Sequence, residues 1–113
     1  MRKLHNVQSP RISFAEEEQL TEHVSVYPFA LAKINCQAPF KITLFTIAPQ
    51  QLTPIDQHDV VEIWTILSGY GELYYENNVV LAKACDIFYF SSQKQHQIKN
   101  TSAEIMKIQS IYW

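Results

Sequence analysis

The sequence predicts an all-β fold in a single domain, an antiparallel sandwich or small barrel. Three observations carry this expectation. There are eight or so short runs rich in β-branched and aromatic residues, turn signals fall roughly every 8–12 residues between them, and helical periodicity is almost absent. A chain of 113 residues suits one hydrophobic core and leaves no room for two. With 47% hydrophobic and 18% charged residues, the composition is that of a globular protein rather than a disordered or fibrous one.

Taken in order, residues 1–23 read as an N-terminal arm or short helix and residues 24–113 as the barrel. In "SFAEEEQLTEH", Ser13 can serve as a helix N-cap with Glu16 or Glu17 in the first turn; the same run reads equally well as an acidic solvated loop. His5 and His23 read as exposed and idle. Beyond residue 24, "FALAKINC" and "FKITLFTIAP" are apolar strand-like runs separated by Gln37, Ala38 and Pro39, and Pro49 and Pro54 bracket a polar connection. "VVEIWTILSG" and "GELYYE" follow, then "VVLAKA" after Asn77–Asn78, a pair suited to a two-residue hairpin turn because asparagine tolerates positive φ. "DIFYFSS", "HQIK" and "EIMKIQSIYW" complete the set. The only glycines, Gly69 and Gly71, concentrate unusual backbone angles around "SGYGE".

Charge and composition disfavour several classes of function. The formal net charge is −2 and there is no basic run, so binding to a phosphate backbone or an anionic membrane is not expected. No apolar run reaches the length of a membrane span, and the first residues lack the apolar core of a secretory signal. Cys36 and Cys85 form no CxxC pair. They read as small buried hydrophobes in a reducing cytoplasm, with a single bridge between them as the alternative.

The chemistry concentrates in "IDQHDVVEIWTILSG", residues 55–69. Asp56, His58, Val60, Glu62, Trp64 and Ile66 share one parity, so on a continuous strand the carboxylates, the imidazole and the indole point one way. With a break around Asp59–Val60, His58 and Glu62 still flank it and can converge. Buried carboxylate and imidazole must be paired or neutralised, and a divalent metal does this directly. In "CDIFYFSSQKQHQIKN", His96 opens a strand that can return beside the Asp56–Glu62 segment as a third ligand.

These residues resemble the cupins. The first motif of that family runs glycine, five residues, HxH, three or four residues, glutamate, six residues, glycine. Here His58, three residues, Glu62, six residues and Gly69 keep that register. Asp56 stands where the first histidine of the motif lies, and Leu52 or a neighbour where the leading glycine is expected. The second motif runs glycine, five residues, PxG, two residues, histidine, three residues, asparagine. Cys85, Ser91, Gln93, His96 and Asn100 keep its spacing, with the glycines and proline replaced. The resemblance covers residues ~40–113.

It implies a double-stranded β-helix, the cupin or jelly-roll-like antiparallel barrel, holding one divalent metal ion (iron, manganese, nickel or zinc) on His58, Glu62 and His96. Asp56 is a fourth ligand or, if it turns away, a catalytic base. Trp64, Tyr75 and Phe88 are candidates to line the pocket, and Asn100 to tie a turn. The implied function is a metal-dependent enzyme acting on a small polar molecule by Lewis-acid chemistry, as an isomerase, epimerase or lyase. An iron-dependent dioxygenase and a non-catalytic small-ligand-binding cupin are the alternatives. The apolar outer parity of "VVEIWTILSG" and the aromatic "IYW" end suggest a homodimer. A small-molecule substrate is the expected partner, without nucleic acid or membrane.

Overall fold

The computed structural model describes residues 10–113, so His5 lies outside the described residues. Among the described residues nine strands form: β1 (Glu18–Thr21), β2 (Val24–Pro28), β3 (Lys41–Ile47), β4 (Glu62–Ser68), β5 (Tyr70–Tyr75), β6 (Asn78–Lys83), β7 (Ile87–Phe90), β8 (His96–Asn100) and β9 (Met106–Tyr112). They pair antiparallel into a six-stranded sheet, ordered β1-β2-β3-β9-β4-β7, and a three-stranded sheet, ordered β6-β5-β8. This is the all-β antiparallel fold that the strand pattern predicts, in the jelly-roll-like form that the resemblance implies. Among the described residues, no helix is long and apolar enough to cross a membrane.

Alternation of side chains decides what enters the space between the sheets. On β3, Thr43, Phe45 and Ile47 are buried; on β4, Glu62, Trp64 and Ile66; on β9, Met106, Ile108 and Ser110. Leu73 of β5 and Ile98 of β8 close the core from the smaller sheet. Trp64 is 1% exposed and meets Phe45 and Phe90 edge-on, with ring centroids 5.1 and 4.8 Å away, the geometry aromatic quadrupoles favour. A side chain of that size buried this completely is worth about 3–5 kcal/mol against alanine. Asn100, fully buried, ties the β8–β9 connection by donating to the carbonyls of Ile47 and Glu104 and accepting from Ser102.

Several local expectations need correction. The acidic segment 18–21 is neither helix nor loop but an edge strand, because the turn at Glu22–His23 folds it back onto β2 with Glu18 opposite Val26. "FALAKINC" is not a strand: after Phe29 it winds into a 3₁₀ turn, Leu31–Ile34, which ends at Asn35 in the left-handed region at φ 53°. The β5–β6 turn is Glu76–Asn77 rather than Asn77–Asn78, since Tyr75 pairs with Asn78 and Glu76 takes φ 52°. Cys36 and Cys85 are free and exposed, not buried. On the outer face of β4, Ile63 and Thr65 are half-buried, and only Leu67 is open.

Two replaced motif glycines keep the glycine conformation. Cys85 has φ 77° and Gln93 φ 67°, both in the left-handed region that strains a residue bearing Cβ. The two native glycines serve different ends: Gly69 has φ 83°, while a Cβ on Gly71 would lie 2.0 Å from the Lys99 carbonyl oxygen. Cys85→Gly and Gln93→Gly should each therefore raise stability, by about 0.5–1 kcal/mol net of the entropy glycine adds to the unfolded chain. Urea unfolding midpoints measure this, and a lower midpoint in either variant would show that its side chain contributes more than its backbone strain costs.

Candidate metal centre

The strand register brings the sequence candidates together from both sheets. Residues 57–61 interrupt the pattern, so β4 begins only at Glu62 and the continuous-strand alternative does not apply. The segment before the break pairs with the smaller sheet instead. Asp56 and His96 exchange both backbone hydrogen bonds at 3.0 Å, which puts their side chains on one face. The His58 carbonyl accepts from the Gln93 amide at 2.7 Å, pinning the interrupted segment against the turn before β8. Asp56, His58 and His96 each offer a ligand atom, and these atoms all lie within 4.8 Å of one another.

Glu62 approaches the same cluster from β4. Its Oε1 lies 3.0 Å from His96 Nε2 and 3.7 Å from His58 Nε2. Its Oε2 accepts from Trp64 Nε1 at 2.8 Å and from the Ser110 hydroxyl of β9. His96 Nδ1 is 3.0 Å from the Lys94 carbonyl, which can only accept, so Nδ1 carries a proton and Nε2 is the nitrogen directed at the cluster. The His96 ring is held flat against Phe90, centroids 4.1 Å apart and interplanar angle 1°. His58 Nδ1 is buried without a hydrogen-bond partner.

This environment sets the charges. Burial works against ionised Glu62, but hydrogen bonds from His96, Ser110 and Trp64, with the charge on His96, hold it below the usual carboxylate range. Burial likewise opposes a charged His96, yet its hydrogen bonds to Glu62 and to the Lys94 carbonyl, and the charges of Glu62 and Asp56, raise it above an ordinary histidine. Asp56 is raised by burial, against the pull of His96, and further by repulsion from Glu62. Glu62 and His96 form an ion pair at the centre.

A cavity of about 150 Å³ adjoins the cluster, and Asp56, Glu62 and Trp64 are part of its wall. Tyr75 and Phe88 are not: both pack against the core, Tyr75 with its ring 5.7 Å from Phe90. The sequence reading missed Phe90, Ser110, Thr43 and Tyr112. Their parity was visible, but their approach to the centre depends on the pairing of β9 with β3 and β4 and, for Phe90, of β7 with β4.

The donors fit a divalent ion: two imidazoles and two carboxylates converge, Nε2 of His96 faces inward, and a buried nitrogen of His58 has no protein partner. The fold and this cluster define a β-barrel with a candidate metal centre between its sheets. The chain belongs to the cupin family, whose cupin-domain model matches residues 43–112. Solved structures share the fold. AerE from Microcystis aeruginosa is 24% identical with a TM-score of 0.78, over 89% of this chain; the match spans only 46% of AerE. A cupin 2 conserved barrel domain protein from Salinispora arenicola is 18% identical with a TM-score of 0.75, over 100% of this chain and 89% of its own. A protein from Thermotoga maritima described as a predicted oxalate decarboxylase is 20% identical with a TM-score of 0.68, over 96% of this chain and 97% of its own.

The metal-free protein should show a stability maximum in mild acid. Glu62, with its lowered pKa, contributes above the unfolded glutamate value and loses that contribution as pH falls through its folded value. His96, with its raised pKa, contributes fully below the unfolded histidine value and loses it as pH rises through its folded value; raised Asp56 acts in the same direction. Urea midpoints measured in chelator should therefore peak between about 4.3 and 6.5. A midpoint rising steadily through neutral pH would contradict the ion pair.

Proposed function

We propose that this cupin is a metal-dependent enzyme acting on a small polar molecule by Lewis-acid chemistry of the isomerase, epimerase or lyase type. The observation that carries this is the convergence of Asp56, His58 and His96 beside a cavity large enough for a small molecule. Those three residues would hold one ion of iron, manganese, nickel or zinc, and Glu62 would join them by exchanging its hydrogen bond to His96. A bound ion supplies polarisation of a carbonyl or carboxylate. The chain itself supplies a carboxyl on the cavity wall, Asp56, whose raised pKa suits it to hold and pass on a proton if it is not a ligand. Trp64 and Phe90 keep water from the buried side of the cluster, and Ser110 and Trp64 fix the Glu62 carboxylate.

His96→Ala should abolish metal retention and leave the β-rich circular dichroism intact; tight binding by that variant would show that His96 is not a ligand. Asp56→Ala separates the two roles of that residue, because retained metal with lost activity makes it a base. Activity that persists under nitrogen supports Lewis-acid chemistry, whereas activity that needs air assigns the protein to the dioxygenases. A preparation that takes up none of the four metals is a ligand-binding cupin.

We also propose that the protein is a homodimer. Leu81 on β6 is 80% exposed, and Ile87 and Tyr89 on β7 are 66% and 61% exposed. Both strands stand at free sheet edges, where apolar side chains and unpaired backbone groups favour association with a second copy. Light scattering should give twice the monomer mass and Ile87→Lys should halve it, while a monomer at micromolar concentration would overturn the proposal.

A further inference from the structure

The wall of the cavity beside the candidate centre carries information about its ligand. At about 150 Å³ the cavity has room for about one six-membered ring, since an apolar cavity of this size accepts benzene. Leu20, Val26, Phe45 and Trp64 make its apolar wall. The charged groups lining it, Asp56 and Glu62, are both acidic, and among the described residues no lysine or arginine lines it. Without an ion, Glu62 is paired with His96, and the Asp56 carboxyl adds no positive charge to the wall. In that state an anionic ligand meets no uncompensated positive charge to replace its hydration.

Of the hydroxyls on the wall, those of Thr43 and Tyr112 make no hydrogen bond to protein among the described residues, and Tyr112 is half-buried, so solvent reaches it. Ser110 is committed to Glu62, and the Thr53 hydroxyl accepts from the Ile98 amide at 3.0 Å. Thr43 is 8% exposed, lines the same cavity, and its hydroxyl makes no hydrogen bond to protein among the described residues. A hydroxyl on a water-poor wall is satisfied by a partner the ligand brings.

We infer that the cavity takes an uncharged, ring-sized molecule carrying a hydroxyl or carbonyl group, bound against Thr43, and that without an ion it discriminates against the matching carboxylate. The catalytic meaning of this ligand class rests on the metal-dependent reading above; its binding does not, because wall and volume belong to the protein alone.

Phenol and benzoate, equal in ring size and opposite in charge character, test this. Each is titrated into zinc-loaded and into chelator-treated protein, and the Trp64 indole N–H resonance is followed by NMR, with Trp113→Phe assigning the second indole. Phenol should shift the Trp64 signal saturably in both forms, with benzoate at least about tenfold weaker in the chelator-treated form. Thr43→Val should weaken phenol several-fold and leave toluene unchanged. Val26→Phe should abolish the phenol shift without changing zinc content, and Leu20→Arg, at an exposed position, should raise benzoate affinity. Benzoate binding the chelator-treated protein as tightly as phenol, or phenol binding to neither form, overturns the inference. Saturable phenol binding by protein that fails to hold zinc supports the inference and sinks the metal reading alone.

Discussion

A carboxylate buried between two sheets is the constraint on which the rest of the structure turns. An unpaired charge at Glu62 would cost several kcal/mol, so the fold must deliver donors to it from elements distant in sequence. Trp64 comes from the same strand, Ser110 from β9 and His96 from β8 in the opposite sheet. Each donor is itself held: Trp64 between Phe45 and Phe90, His96 by the Lys94 carbonyl and the face of Phe90. The polar centre and the apolar core therefore share residues, and neither forms without the other.

Much of this was legible in the sequence, and what was missed has a common physical cause. Period-two alternation marked Glu62, Trp64 and Ile66 as one face, and motif spacing singled out His58, Glu62 and His96 before any pairing was known. Ser110 was invisible because a serine in an apolar strand acquires a role only from its register: it lies opposite Trp64 and so beside the Glu62 carboxylate. Phe90, not Phe88, reaches the centre because Phe90 pairs with Glu62 and Phe88 with Trp64. Strand β1 was hidden by the glutamate run Glu16–Glu18 that leads into it, whose solvated side chains look the same on a loop as on an exposed edge. Strand pairing, rather than local propensity, decided all three.

The replaced motif residues show backbone and side chain following different constraints. Cys85 and Gln93 hold the left-handed angles that glycine would adopt freely, so the loops around β7 and β8 retain their path at the cost of local strain. The Gln93 amide also donates to the His58 carbonyl, which makes its backbone part of the support for the centre. At the Asp56 position the change is one of charge. A second carboxylate stands where the motif has an imidazole, and the cavity it borders gains acidity without a compensating base.

The centre also has a consequence for the order in which the chain acquires structure. Glu62 and His96 are 34 residues apart and belong to different sheets. Neither the Asp56–His96 pairing nor the Glu62 contact exists until β8 has returned across the barrel, a non-local closure whose entropy must be met before the contacts form. An ion captured by this ligand set is thus a reporter of closure: it binds the assembled barrel in preference to open intermediates and, by mass action, withdraws population from them.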